Sequence, residues 1–249
     1  MTKIKSKKFV IIIPARYSSS RLPGKPLKLI NNKPLIYVTW KNITKTVDKN
    51  IVYIATDSEK IKNICNDYGM KTLMTSHLCK TGSDRVSEAS NLFKGKLIIN
   101  LQGDEPDINK DDIINLNNFM INQDAELGTL AAKIQNDKMF NNKNVVKVIT
   151  DKELIENNFP EALNFTRDNL STISQNIYHH IGIYSYKTSI LEKFVSLDQT
   201  SNEKKNKLEQ LRALDNKLKI NVALAKFSPI GVDTEEDYLA IKKIMEYKT

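Results

Sequence analysis

The sequence predicts an α/β fold with a mostly parallel or mixed central sheet flanked by helices. Residues 9–13 (Phe-Val-Ile-Ile-Ile) and 51–55 (Ile-Val-Tyr-Ile-Ala) are apolar and largely β-branched with no polar face, the pattern of strands covered by helices on both sides. Helix-period segments alternate with such runs, which is how parallel strands are joined. The 249 residues, 40% of them hydrophobic, supply one substantial core near the size at which a domain begins to divide. The expectation is one domain over 1–249 with an excursion at about 150–215.

In order, the opening strand runs into a long polar loop. Pro34 then suits the start of a helix with Leu35, Val38 and Ile43 on its apolar side, and 51–55 completes a βαβ unit. Thr56 and Glu59 have capping-box spacing before a helix carrying Ile61, Ile64, Cys65 and Tyr68, and Gly69 ends it. Residues 71–74 read as a short strand, 84–93 as helix, and 97–101 as a third apolar strand leading into Gln102-Gly103-Asp104-Glu105-Pro106. Helix at 111–120 and strand at 127–131 continue the alternation. Beyond a strand at 145–149 the pattern loosens, with turn signals at 157–160 and a strand over 177–186. A polar helix at 205–214, a strand at 220–224 and a helix at 234–247, capped by Thr234 with Asp237, close the chain.

Lys and Arg total 38 against 29 Asp and Glu, a formal charge of +9. The excess is mostly lysine scattered among asparagines, which suits a solvated surface rather than a nucleic-acid track. Cys65 and Cys79 form no CxxC pair, so neither a disulfide framework nor a zinc knuckle is indicated, and the cytoplasm is the expected location. The basic residues 1–8 resemble the head of a signal peptide, but the apolar run after them stops at Pro14, and no stretch reaches the roughly 18 apolar residues of a membrane span.

Two sites carry chemistry. The loop Pro14-Ala15-Arg16-Tyr17-Ser18-Ser19-Ser20-Arg21-Leu22-Pro23-Gly24-Lys25-Pro26 follows the first strand, where open α/β sheets bind ligands. Its three cations suit a polyphosphate, while Walker and GxGxxG motifs are absent. Asp104, just past one apolar strand, and Asp233, read as lying past another, are the hard oxygen ligands that Mg²⁺ prefers; a turn or a helix cap also accounts for each taken singly. In 177–186, alternation sets His180, Gly182 and Tyr184 on one face and His179 on the other, so the histidines are poor joint zinc ligands. Glu209 and Gln210, with Arg212, fall on the helix read at 205–214 and suit a polyhydroxylated ligand.

The loop at 13–26 resembles the nucleotide-binding opening of the 3-deoxy-manno-octulosonate (Kdo) cytidylyltransferases. Ala55-Thr56-Asp57, Thr81-Gly82-Ser83-Asp84-Arg85, residues 100–106, 180–184 and 208–212, and Gly231-Val232-Asp233-Thr234-Glu235-Glu236-Asp237 match that family's blocks in order, covering nearly all of the chain from Phe9 to Met245. The resemblance implies a Rossmann-like nucleotidyltransferase fold with a smaller sugar-binding and dimerisation excursion. It implies a cytoplasmic, homodimeric enzyme that joins CTP to Kdo, forming CMP-Kdo and pyrophosphate for lipopolysaccharide synthesis. On it, Arg16 and Lys25 contact the triphosphate, with Ala15, Gly82, Ser83, Arg85, Gln102 and Asp104 also at the nucleotide. Asp104 and Asp233 bind Mg²⁺, and Arg167, His180, Tyr184, Glu209 and Gln210 meet the sugar.

Two departures from the family pattern are present. Arg167 is followed by Asp168-Asn169-Leu170-Ser171-Thr172 where a serine, a proline and an Ile-Pro-aromatic continuation are usual, and Ser83 replaces a threonine while retaining the hydroxyl. The first leaves 8-amino-Kdo or a nonulosonic acid open as the sugar. A basic nucleic-acid-binding module is the rival of a different class, and it lacks the clustered charge it would need.

Overall fold

The structure is a computed structural model that describes residues 8–18, 22–168 and 176–247. Arg21 in the basic loop, the N-terminal basic residues before Lys8 and the divergent Asn169–Thr172 stretch, 169–172, lie outside the described residues.

In chain order the elements are β1 (Phe9–Ala15), β2 (Leu29–Ile30), β3 (Lys33–Pro34), α1 (Leu35–Ile43), β4 (Val52–Thr56), α2 (Glu59–Asp67), β5 (Lys71–Met74), α3 (Gly82–Ser90) and β6 (Leu97–Asn100). They continue as α4 (Lys110–Asn122), β7 (Leu127–Ala132), α5 (Asp137–Asn141), β8 (Lys147–Thr150), β9 (Ala162–Thr166), β10 (Ile177–Lys187), α6 (Thr188–Ser196), α7 (Ser201–Asn206), α8 (Leu211–Asp215), β11 (Asn221–Leu224) and α9 (Glu235–Tyr247). The α/β class expected from the alternation is the one found. The chain divides into two compact units, Met1–Lys110 with Pro229–Thr249, and Asp111–Ser228. Residues 150–215 fall inside the second.

In the first unit β1 pairs in parallel with β4 on one side and β6 on the other, and β4 pairs with β5. Ile11, Ile12 and Ile13 are wholly buried, each worth about 1.5–3 kcal/mol of transfer free energy. The order β6-β1-β4-β5 reverses direction at β1, so the carboxyl ends of β1 and β6 flank a topological switch point. Behind it, Leu22, Ile30, Leu35, Val232, Tyr238 and Ile241 form a buried cluster that seats α9 and fixes the segment before it.

The second unit has a mixed arrangement. β7 is parallel to β11 and antiparallel to β10; β10 is antiparallel to β8, and β8 to β9. Periodicity did not reveal β9, because its burial does not alternate: Leu163 and Asn164 are both exposed.

Several local expectations change. The cap of α2 is Ser58, whose Oγ accepts from the Ile61 N–H, while Thr56 ends β4 and accepts from the Ser58 N–H, so the expected Thr56–Glu59 box does not form. Ile51 closes a 3₁₀ turn rather than opening β4. α3 begins earlier than expected because Thr81 and Asp84 cap it reciprocally, and residues 91–93 continue it as a 3₁₀ turn. The helix expected at 205–214 is two short helices: Lys207 takes a left-handed φ of 53° and Leu208 N–H bonds back to Glu203 O, ending α7. The Thr234–Asp237 cap forms as expected.

Candidate active site

β1 delivers Pro14 and Ala15 to the switch point, and the loop after it folds back so that Gly24 N–H donates to Tyr17 O at 3.0 Å. Gly24 adopts φ +67°, a conformation L side chains rarely take, and the 3₁₀ turn Lys25–Leu27 begins directly after it. That turn aims Lys25 inward. Its ammonium donates to the Asp104 carboxylate, to Val232 O at 2.8 Å and to Asp233 Oδ1 at 3.3 Å. Val232 N–H also donates to Asp104 O at 2.9 Å, tying the segment after β6 to the segment before α9.

Lys25, Asp104 and Asp233 line a cavity of about 520 Å³ together with Pro14, Ala15, Arg16, Gly82 and Gln102. Arg16 Nη1 donates to Lys80 O at 2.9 Å, which holds its guanidinium near the start of α3. Gly82, the first residue of α3, faces the same space, and the positive end of a helix dipole there favours an anion. Gly103 is needed for close packing: a Cβ would lie 2.9 Å from Ile36 Cδ1 and 3.1 Å from Ile13 Cγ2.

Asp233 does not end a strand as the sequence suggested. β11 stops at Leu224, and Asp233 precedes α9 with its N–H bonded to Asp237 Oδ2 at 3.1 Å. Its carboxylate nevertheless meets the same ammonium as Asp104. Two carboxylates converging on one cation in a polar cavity fit a hard divalent ion that fills its remaining positions with water and phosphate oxygens.

Among the second unit's sugar assignments, the His180 ring lies 5.5 Å from that of Tyr184 and 4.9 Å, edge-on, from that of Phe165. A bulge between Ile181 and Tyr184 interrupts the alternation but adds two residues, so His180 and Tyr184 keep a common side. Thr129 Oγ1 lies 3.1 Å from His180 Nε2 and bonds the Ile181 and Ile183 carbonyls across that bulge. Burial, with His179 and Arg167 nearby, pushes the His180 imidazole down to about 3, so it is neutral at neutral pH. His179 faces elsewhere, its Nδ1 2.7 Å from Ser228 Oγ. Burial also drives the Tyr184 phenol well above its usual value, with smaller contributions from Tyr186 and Glu209.

A family model described as Cytidylyltransferase matches residues 10–220. The 3-deoxy-manno-octulosonate cytidylyltransferase of Thermodesulfovibrio yellowstonii is 39% identical over 95% of this chain and 97% of its own. The chain belongs to the cytidylyltransferase family. The 3-deoxy-manno-octulosonate cytidylyltransferase 2 of Actinobacillus pleuropneumoniae serotype 5b is also 39% identical, over 97% and 100% of the two chains. A solved CMP:2-keto-3-deoxy-manno-octonic acid synthetase, complexed with CTP, superposes with a TM-score of 0.87 at 30% identity, covering 98% of this chain and 100% of that one.

In this cytidylyltransferase Ser83, Arg85, Glu209 and Gln210 are not among the residues that line that cavity. Arg85 does not reach the cavity: its guanidinium is fully buried, paired with Asp57 at 2.9 Å and bonded to Thr75 Oγ1. It anchors α3 to the ends of β4 and β5, and Gly82 is the residue of that motif which faces the cavity. Ser83 is buried. Glu209 and Gln210 occupy the turn between α7 and α8 rather than a helix face. Beside them Arg212 makes a buried two-pronged pair with Glu203, at 2.8 and 2.6 Å, and lies 3.6 Å from Glu209.

Glu105 was not among the residues singled out. Its Oε2 is buried without a hydrogen-bond partner among the described residues, and burial, reinforced by Asp104 and Asp233 and opposed by Lys25, raises its carboxyl to about 8. The sequence offered its position next to Asp104 as a signal, but not its inward direction.

Proposed function

We propose that this cytidylyltransferase transfers the CMP group of CTP to Kdo, forming CMP-Kdo and pyrophosphate, for lipopolysaccharide synthesis. The observation that carries this reading is the convergence of Asp104 and Asp233 on the Lys25 ammonium beside Arg16, in the cavity at the β1/β6 switch point. The close relationship to Kdo cytidylyltransferases over nearly the whole chain supplies the substrates.

Lys25, a compact charge, and Arg16, a planar fork, would neutralise triphosphate oxygens as negative charge moves onto the departing pyrophosphate. Ala15, Gly82 and Gln102 border the nucleotide's space. Asp104 and Asp233 would hold Mg²⁺, which supplies Lewis-acid stabilisation of phosphoryl charge when bound. The anomeric hydroxyl of the sugar, giving up its proton to solvent, attacks the α-phosphorus, and the P–O bond to pyrophosphate breaks as the new one forms. His180, held neutral and packed between rings, suits sugar recognition, with Arg167, Tyr184, Glu209 and Gln210 as its companions. Positioning of the two reactants supplies the other large part of the rate. The family resemblance also leads us to expect a cytoplasmic homodimer; no helix among the described residues is long and apolar enough to cross a membrane.

Purified protein with CTP, Kdo and Mg²⁺ should release pyrophosphate, and UTP or ATP should substitute poorly. Turnover with 8-amino-Kdo or a nonulosonic acid, but none with Kdo, would replace the sugar while keeping the chemistry. That second reading is favoured only by the departure from the family pattern after Arg167.

A further inference from the structure

Lys147 lies on β8 with none of its surface exposed. A buried ammonium is costly unless its charge and its donors are answered. Among the described residues it forms no direct ion pair, although the Asp168 carboxylate acts on its charge. It donates to two main-chain carbonyls instead, Asn142 O at 3.0 Å and Arg167 O at 3.3 Å. Arg167 completes the arrangement from the other side, its Nη1 donating to Asn144 O at 3.0 Å and Lys143 O at 3.4 Å. The carbonyls of 142, 143 and 144 are therefore held by two cations, and one of those cations also holds the backbone of the other.

Strand register places this lock beside the sugar assignments. Lys147 pairs with Thr166 on β9, the residue before Arg167, and with His179 on β10, the residue before His180. Burial lowers the affinity of Lys147 for its proton; Asp168 opposes that effect and Arg167 reinforces it. A methionine at this position would fill nearly the same volume without desolvating a charge, so packing alone does not account for a lysine here.

We propose that Lys147 is a positioning residue that fixes the backbone of Arg167 and the 142–144 loop so that the Arg167 guanidinium is held ready for the acid sugar. This rests on the reading of Arg167 as a sugar contact. Lys147 itself is too deeply buried to touch a ligand.

The test is initial-rate pyrophosphate release by the full chain with CTP, Mg²⁺ and the preferred acid sugar. Lys147→Met should raise the KM for the sugar about tenfold or more while the KM for CTP stays within about twofold. Lys147→Gln, which keeps a donor for the carbonyls, should fall between the parent and the methionine variant. An unchanged sugar KM in Lys147→Met, or parallel rises in both KM values, overturns the proposal. If the methionine variant does not fold, Lys147→Gln is judged by the same two constants; failure of both to fold assigns Lys147 to stability alone and also overturns it. Arg167→Ala, assayed alongside, separates the layers: an unchanged sugar KM there removes the underlying reading, whereas a raised one with a normal Lys147→Met removes only the positioning role.

Discussion

Asp104 owes its role to the company it keeps. It shares the Lys25 ammonium with Asp233, its own backbone carbonyl accepts from Val232, and the neighbouring Glu105 carboxyl is driven towards the neutral form by burial, with the same acids adding to it. An asparagine there would still accept a hydrogen bond from Lys25 but would bring no charge to a divalent ion. Asp104→Asn is expected to lower kcat about 10²–10³-fold with little change in Tm. Pyrophosphate release measured across a Mg²⁺ titration checks it, and near-parent rates at saturating Mg²⁺ would exclude Asp104 as a ligand. The charged groups themselves were legible: Arg16 and Lys25 follow the first apolar run, and Asp104 follows another. The direction of each side chain was not. Nothing in the local pattern distinguishes Arg85, turned inward to Asp57, from Arg16, which borders the cavity, because that difference is set by contacts with segments distant in sequence.

Elements with a strong period and a clean cap were the ones the sequence revealed best. β1, α1 and α9 are close to where alternation and capping put them, whereas the 205–214 helix failed at Lys207, whose left-handed backbone carries no glycine to announce it. Packing inside an element makes sharper demands than pattern does. A Cβ on Gly128 in β7 would lie 2.7 Å from both Met120 Sδ and Phe159 Cζ, and the Phe159 ring is itself stacked on Phe119 at 5.2 Å. Gly128→Ala should therefore cost about 1–3 kcal/mol of stability, read as a lower Tm, while KM values for CTP and sugar hold. On α4, Asp112 is 3% exposed, and its carboxyl is raised by burial from 3.8 to about 6, with the Lys226 N–H and ammonium opposing. Because the folded value exceeds the unfolded one, its contribution to stability is greatest below about pH 4 and is lost as pH rises to about 6. Asp112→Asn should thus be more stable than the parent at pH 7.5, by on the order of 1–3 kcal/mol, with the difference vanishing near pH 4. Paired denaturant melts at the two pH values read it directly, and a pH-independent difference would assign the effect to packing.

The whole chain carries +9, yet its candidate nucleotide cavity is close to balanced, with Arg16 and Lys25 facing Asp104 and Asp233. A net basic surface draws any polyanion to the molecule, whereas a balanced cavity does not hold a bare triphosphate against two carboxylates. An added divalent cation resolves that repulsion by binding to both sides, so nucleotide and metal should bind cooperatively. Among the described residues no group of three metal-ligating side chains stands ready to hold a metal alone. Chelation without nucleotide should accordingly leave Tm unchanged. CTP with Mg²⁺ at about a hundred times its Kd should stabilise the fold by about 2.7 kcal/mol, which for a chain of this size is a rise of about 5–10 °C. CTP alone should give much less, and EDTA should erase the joint shift. A nucleic-acid-binding protein would respond in the opposite way: a short DNA or RNA would raise Tm without Mg²⁺, and moderate salt would abolish the rise. A CTP-induced shift that survives EDTA would show that Lys25 and Arg16 suffice for the triphosphate, and it would remove the reason for assigning Asp104 and Asp233 to a metal.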